Sequence, residues 1–480
     1  MALASITPVA VAPVPLERFA EVLLPEQMRE LERTVTRAQT LLSGRVIWNI
    51  NSTARGGGVA EMLRPLVGYA RAANVDARWK VLGGEPDFFR VTKRLHNRLH
   101  GSMGDGGPLG DHERKIYERT SEAAARKLIP RTRRGDIVIL HDPQTAGLAA
   151  PLVEAGAVVI WRTHIGIDRP NGEAREAWDF LLPYVLPAHA YVFSRAAYAW
   201  EALEPGRVFV IAPSIDPFSP KNQELPRSSV RAILGHAGLL PPVEDVPTFL
   251  RSDGAPGRVD STCQLIEAEP LTAETPLVTQ VSRWDRLKDP LGVMEGFIHH
   301  VLPDSAAHLM LAGPDTDAVA DDPEGADVLR ACVDRWESLA PEARARIHLA
   351  MLPMYDAEEN AAIVNALQRW STVIVQKSLA EGFGLTVTEA MWKARPVVAS
   401  RVGGIQDQLV DGESGVLVDP ADYQAFGEAV LGLIADPARA ERIGRAAQER
   451  VREQFLGARH LTQYVDLFER LTTEPVPQVR

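Results

Sequence analysis

At 480 residues the chain is too long for one ordinary hydrophobic core, so two domains are the starting expectation. Its 45% hydrophobic and 24% charged content is that of a soluble globular protein, and a formal net charge of −11 argues against nonspecific nucleic-acid binding, which needs a basic surface. Cys263 and Cys332 are too few for a disulfide framework and fit a reducing cytoplasm, and no run reaches the ~20 apolar residues of a membrane span.

Residues 1–25, with Pro8, Pro13 and Pro15 and no basic leader, read as an extended arm rather than a signal peptide. A strand is expected over 46–50, then the turn Arg55-Gly56-Gly57-Gly58, then a helix over 59–73 with Val59, Met62, Leu63, Leu66, Val67 and Ala70 at helical spacing. Further strands are expected over 77–82, 136–140, 158–162, 190–193 and 208–212. Their β-branched runs, separated by helical stretches, indicate a parallel sheet covered on both faces. This places a Rossmann-like domain at 26–222.

The alternation lapses over 225–275, where Pro241-Pro242 and Gly254-Ala-Pro-Gly257 interrupt weak periodicity. Residues 223–275 read as an interdomain connection with an insertion. A second series of strands, 277–282, 308–312, 347–351, 372–376, 396–400 and 415–418, sets a second domain at 276–455. Helices are expected at 421–434 and 437–455. A last helix, about 460–471, lies in 456–480 and is expected to return toward the first domain. The fold class is α/β, with two doubly wound Rossmann-like domains whose strand C-termini face a central crevice.

The densest motif is Glu381-Gly-Phe-Gly-Leu-Thr-Val-Thr-Glu389. Two carboxylates flank the Gly382/Gly384 turn, and Glu389 is expected to open a short helical run that Arg395-Pro396 stops. A glycine turn entering a helix presents bare N–H groups to an anion. The carboxylates can accept hydrogen bonds from sugar hydroxyls, so the motif suits a sugar nucleotide. The competing account of Glu389 is a carboxylate complementing the helix dipole.

Arg283 and Lys288 follow the strand at 277–282 and can neutralise a diphosphate leaving group. The alternative is a solvated loop in which they pair with Asp285 and Asp289. The glycine turn at 55–58 lets a ligand approach the backbone, but it is neither a dinucleotide fingerprint nor a P-loop. His141-Asp142 and Arg162-Thr163-His164 follow two other strands, where they can contact sugar hydroxyls. The spacing of His141 and His164 suggests no metal site, Cys263 and Cys332 form no closely spaced pair, and the absence of Gly-x-Ser-x-Gly leaves hydrolase chemistry without support. Lys221, after Pro213-Ser-Ile-Asp-Pro217, reads as exposed linker, with a direct ligand role as the alternative.

These residues resemble the retaining glycosyltransferases of GT-B fold, in the family of sucrose, trehalose and bacterial glycogen-type synthases. The likeness covers nearly the whole chain outside the arm and 225–275. More narrowly, His141-Asp-Pro-Gln, Trp161-Arg-Thr-His164-Ile, Pro213-Ser-Ile-Asp-Pro, Lys221-Asn and Gln280-Val-Ser-Arg-Trp-Asp-Arg-Leu-Lys-Asp-Pro look like trehalose glycosyltransferring synthases and the related trehalose phosphorylases. The loop at 163–168 departs from the family's shorter His-Ile-Asp pattern.

The resemblance implies that Glu381 contacts the transferred glucose. Gly382, Phe383, Gly384 and Leu385 would hold sugar and diphosphate, and Glu389 the ribose hydroxyls. Arg283 and Lys288 would stabilise the leaving group. His141, Asp142, Arg162 and His164, with Gly56, Gly57 and Gly58, would position the acceptor. It implies a nucleoside-diphosphate glucose as co-substrate, a small sugar acceptor, and no required cofactor, with magnesium at most a stimulant. ADP, UDP and GDP stay open as donor nucleotides, and oligomeric state stays open, a homodimer included. A phosphorylase using inorganic phosphate, a catalytically silent sugar-nucleotide-binding protein and a GT-B epimerase are the alternatives.

Overall fold

The computed structural model describes residues 4–54, 57–316 and 323–473. The chain divides into two units, Met1–Ser214 with Phe455–Arg480, and Ile215–Gln454.

The first unit is built on strands β1 (Ala4–Val9), β2 (Ile47–Asn51), β3 (Ala77–Gly84), β4 (Ile137–His141), β5 (Val158–Thr163), β6 (Ala190–Phe193) and β7 (Val208–Val210), in the order β1-β3-β2-β4-β5-β6-β7. All pairs are parallel except β1 with β3, which runs antiparallel from Ala4 opposite Gly84 to Val9 opposite Trp79. The expected arm is therefore in part an edge strand. Pro8 lacks an N–H, which an edge position tolerates. Every residue of β2 and β4 is buried, as a sheet covered on both faces requires. The order reverses direction between β2 and β4, so the loops leaving those strands sit at a topological switch point, where open α/β sheets bind ligands. The β4–β5 register sets His141 opposite Arg162.

The C-terminal helix Gly457–Thr473 belongs to this unit. Thr462 Oγ1 lies 3.1 Å from Thr34 Oγ1, and Arg37, from helix Pro25–Leu41, donates to Asp466 and Glu469 at 2.6 Å each.

The second unit contains the hairpin β8 (Thr248–Leu250) and β9 (Pro256–Arg258). Its main sheet contains β10 (Gln264–Ile266), β11 (Leu277–Val281), β12 (His308–Pro314), β13 (Ile347–Leu352), β14 (Val373–Gln376), β15 (Val397–Ser400) and β16 (Val416–Val418). The order is β10-β13-β12-β11-β14-β15-β16, parallel except for β10 against β13. Its switch point lies between β11 and β14.

Residues 225–275 are more regular than their composition suggests. They supply helix Arg227–His236, whose Val230, Ile233 and Leu234 share a buried cluster with Ala362, Ile363 and Ala366, as well as the hairpin and the edge strand β10. Three-residue strands show no period of their own; the partner strand imposes their conformation. Among the described residues, no helix is long and apolar enough to cross a membrane.

Candidate active site

The second unit gathers its chemistry at the β11/β14 switch point. After β11, the turn Arg286–Lys288 is held by Asp285, whose Oδ1 accepts from Leu287 N at 2.8 Å. Gln280 Nε2 donates to the Lys288 carbonyl at 2.9 Å. Leu379 N, after β14, donates to the Leu287 carbonyl at 2.8 Å, stitching the two loops together. The result is an ion pair between Lys288 Nζ and Glu381 Oε2, with side chains 18% and 11% exposed.

The pairing expected of a solvated loop holds only for Arg283, which reaches Asp285 at 3.1 Å from a largely exposed position. Asp289 does not pair with Lys288. It adopts φ +51°, caps helix Pro290–His300 through Gly292 N at 3.1 Å, and pairs with the wholly buried Lys377. Lys377 also lies 4.5 Å from the Tyr423 ring centroid.

The glycine turn is clamped from behind. Gly384 has φ +87°, which glycine adopts without steric penalty, and it caps helix Leu385–Trp392 with no side-chain partner. The helix thus begins at Leu385, and Glu389 lies within it rather than opening it, so the end-of-helix account of Glu389 does not apply. Gln408, fully buried, donates through Nε2 to the Phe383 carbonyl and to that of Gly384 at 3.3 Å, while its Oε1 accepts from Thr388 Oγ1 at 2.6 Å. A trans peptide directs N–H opposite to C=O. The amides of Gly384 and Leu385 consequently face away from Gln408, toward the side where an anion can bind. A Cβ on Gly404 would lie 2.6 Å from Phe383 Cα and 2.7 Å from the Gly382 carbonyl oxygen.

Glu389 is buried, and Lys221 Nζ approaches its Oε1 to 3.7 Å. Lys221 is therefore not an exposed linker residue. Lys393 Nζ donates to the Glu389 carbonyl at 3.0 Å and to Asn222 Oδ1 at 3.1 Å. Burial drives its pKa well below the usual lysine range, with Glu389 opposing.

In the first unit, β4 ends at His141, and Asp142 follows it. Asp142 has φ +63° and ψ 178°, a region that glycine favours, so the backbone there is strained. Its Oδ1 accepts from His164 N at 2.8 Å, and burial pushes its carboxyl up to about 6. The His141 and His164 rings are near-parallel, with centroids 5.7 Å apart and Nδ1 of the first 3.4 Å from Nε2 of the second. His141 Nε2 lies 3.2 Å from Asn49 Oδ1. Burial, reinforced by Arg162, lowers His141 to about 3 and His164 well below its ordinary value. Both rings are neutral near pH 7.

Arg162 is wholly buried behind these rings, bonded to His164, His460, Tyr464 and the Ile211 carbonyl. Its fifth N–H faces Met62 Sδ at 3.9 Å, so none is left for a direct contact with an acceptor. Gly57, with φ +81°, precedes helix Gly58–Ala72 at the end of the β2 loop; Gly56 lies outside the described residues.

Sequence reading misses Lys377, Gln408, Gly404, Lys393, His460 and Tyr464. Gly403-Gly404, just past a strand, carries a legible turn signal. The others are single polar residues with no local mark. Among the described residues, no cluster of three or more His, Cys, Asp or Glu side chains could hold a metal ion.

Comparison with known proteins places these loops in a family context. Residues 49–200 match the model of the trehalose synthase N-terminal domain, and residues 267–450 that of glycosyl transferases group 1. The chain is 36% identical over 455 residues to a trehalose synthase of Rubrobacter xylanophilus, covering 92% of this chain and 94% of that one. It is 33% identical over 458 residues to a trehalose synthase of Pyrococcus horikoshii, covering 95% and 96%. A trehalose phosphorylase of Grifola frondosa is 26% identical over 419 residues, which cover 80% of this chain and 52% of the longer phosphorylase. The solved structure of a UDP-forming α,α-trehalose-phosphate synthase from Burkholderia vietnamiensis matches with a TM-score of 0.65 over 89% of this chain and 98% of that one, at 16% identity, a likeness of fold.

Proposed function

The chain belongs to the trehalose synthase family of GT-B glycosyltransferases, and from that premise we propose that it moves glucose from a nucleoside-diphosphate glucose to glucose or a similar sugar, with retention, forming trehalose or a close analogue. The observation that carries this reading is the Lys288–Glu381 pair beside the uncapped helix start at Leu385. A cation, a sugar-binding carboxylate and outward amides are what a diphosphate-linked hexose needs at one place.

In this proposal Lys288, Arg283 and the amides of Gly384 and Leu385 take the diphosphate, with Gly382 and Phe383 completing the turn. Glu381 accepts from the hydroxyls of the transferred glucose, and Glu389 from those of the ribose. In the first unit His141, Asp142, His164 and the Gly57–Gly58 turn bind the acceptor.

The acceptor oxygen attacks the anomeric carbon from the face that the diphosphate leaves. The carbon–oxygen bond to the diphosphate breaks as the new glycosidic bond forms. The departing phosphate oxygen keeps the bonding pair and takes the hydroxyl proton. No carboxylate nucleophile is required, so the protein contributes positioning and electrostatic stabilisation. The nucleotide sugar is a co-substrate, and Arg283 and Lys288 supply the charge that a metal would otherwise provide.

The same cations suit inorganic phosphate, and the phosphorylase likeness makes phosphorolysis the second reading. One experiment separates the two. ADP-, UDP- and GDP-glucose are each offered with glucose, and trehalose is offered with phosphate or with nucleoside diphosphate, and the anomers formed are identified by NMR. Nucleotide-dependent α,α-linked product supports the synthase. Glucose 1-phosphate from trehalose and phosphate alone replaces it with the phosphorylase. A ligand-induced rise in Tm without turnover in any mixture replaces both with a binding protein.

A further inference from the structure

Arg162 occupies the penultimate position of β5 with no solvent exposure. Among the described residues no carboxylate lies within ion-pair distance of it. A guanidinium taken out of water is tolerable only if its N–H groups are satisfied, and here neutral groups do that. Nε donates to His164 Nε2 at 3.1 Å. Nη1 donates to His460 Nε2 at 3.1 Å and Tyr464 Oη at 2.6 Å. Nη2 donates to the Ile211 carbonyl at 3.1 Å and lies 3.9 Å from Met62 Sδ.

Arginine keeps its charge in proteins and only donates. Each ring nitrogen facing it must therefore present a lone pair. A neutral imidazole with its lone pair on Nε2 carries its proton on Nδ1. For His460 that proton goes to Ser214 Oγ, 2.7 Å away. For His164 it sits on the opposite side of the ring from Arg162, where among the described residues it has no protein partner.

His460 and Tyr464 stand one helical turn apart on Gly457–Thr473, so both face the same way. Their rings stack with centroids 5.3 Å apart at 11°. The neighbouring Arg459 donates to the carbonyls of Ala212 and Pro213 at 3.1 Å, anchoring this end of the helix.

We infer that His460 and Tyr464 are positioning residues for the acceptor: they hold Arg162 so that its Nε–H keeps His164 in the Nδ1–H tautomer, with that N–H as the donor to an acceptor-sugar hydroxyl. The inference rests on the acceptor role proposed above for His164. Its structural core, the tautomer, can be read without any turnover.

The test uses the full-length chain labelled with 15N-histidine, with the His164 signals assigned by comparison with His164→Asn. Tautomer-sensitive ring-nitrogen shifts are recorded for the wild type, Tyr464→Phe, His460→Phe and His460→Gln, alongside KM for acceptor and for donor. Tyr464→Phe removes one oxygen and leaves the ring stack intact, so it keeps the test available if His460→Phe fails to fold. The wild type is expected to show His164 protonated on Nδ1. Tyr464→Phe and His460→Phe should shift that pattern and raise the acceptor KM by about ten-fold with the donor KM unchanged. His460→Gln, whose side-chain oxygen can accept from Nη1, should restore both. A His164 spectrum unchanged in Tyr464→Phe and His460→Phe overturns the inference, as does an equal rise in both KM values. If the wild type glucosylates no sugar, the acceptor reading fails on its own, while the ring-nitrogen shifts still decide whether the helix sets the tautomer.

Discussion

Lys288 and Glu381, 93 residues apart in the sequence, meet as an ion pair where the strand order of the second sheet reverses. Each is more than four-fifths buried, and neither is the other's nearest charge along the chain. Lys288 has Asp289 beside it, but Asp289 is taken by Lys377. The pairing thus leaves one cation and one carboxylate together at the ligand end of the sheet.

Lys288→Ala should therefore lower kcat by about two orders of magnitude or more, since a donor aimed at developing charge is lost. Glu381→Ala should do the same, and the double variant should lose far less than the product of the two single effects, because the residues act as a unit. Steady-state kinetics at saturating donor checks this. Multiplicative losses would show that the pair has no joint role.

Lys377 and Asp289 make a second pair whose role is structural. Lys377 is completely buried, so removing it leaves a carboxylate with 15% exposure and no ammonium. Lys377→Met should cost about 3–5 kcal/mol of stability, the price of an uncompensated buried charge. Asp289→Asn keeps the cap on Gly292 and tolerates the positive φ. Combining the two should recover much of the loss. Urea titrations of the three variants decide it, and a double variant as unstable as the sum of the singles rules out the pairing as the cause.

Much of this architecture is legible in the sequence because its strands are short runs rich in apolar, β-branched residues with a charged residue within two positions of their end, as at β11 and β14. Regions that take their conformation from a partner are not legible. β1 becomes a strand because β3 offers an edge, and β8, β9 and β10 have only three residues each. In the site, Glu381 and Lys288 stand out because each follows a readable strand and one flanks a glycine turn. Lys377, between Gln376 and Ser378, looks like any surface lysine until Asp289 is folded onto it. His460 lies 298 residues from Arg162, and nothing local announces the contact. The helix start at Leu385 is hidden because Leu-Thr-Val-Thr has β-branched composition, whereas the positive φ of Gly384 decides the boundary.

The Gly403-Gly404 turn packs against Gly382 and Phe383, in the turn proposed to hold the donor, so closely that a methyl group at 404 cannot be accommodated without displacing backbone. Gly404→Ala should shift the Phe383–Gly384 peptides and raise the donor KM about ten-fold or more while leaving the acceptor KM unchanged. Gln408→Leu, which frees the same carbonyls, should act in the same direction. Donor and acceptor saturation curves provide the check. A change confined to the acceptor would contradict the assignment of this turn to the donor.

In the proposed mechanism Arg283 and Lys288 provide the positive charge at the leaving group, so turnover should persist in excess chelator. Complete loss in chelator with recovery on adding magnesium would refute that division of labour.

The buried histidines around Arg162 contribute to the acid response of the fold. His141, His164 and His460 are all lowered from 6.5, chiefly by burial and then by Arg162, His141 to about 3. The unfolded chain takes up protons at these rings as pH falls through about 6.5, while the folded chain does not. Their contribution is therefore complete above that pH and is lost progressively toward pH 3. Asp142 acts in the opposite sense. Raised from 3.8 to about 6, it is protonated in the folded chain first, so it favours folding increasingly as pH falls from about 6 to 4. The three rings outweigh the one carboxyl, the lowered His189, His308, Asp76, Asp105, Glu295 and Asp356 act in the same sense as the rings, and stability should decline on acidification. His460→Gln removes one titrating ring and should make the decline between pH 6.5 and 4 shallower, by up to about 1.4 kcal/mol per pH unit. Asp142→Asn removes the opposing group and should make it steeper between pH 6 and 4. Denaturant midpoints across this range measure both, and variant curves parallel to the wild type would show that these groups titrate alike in the folded and unfolded chains.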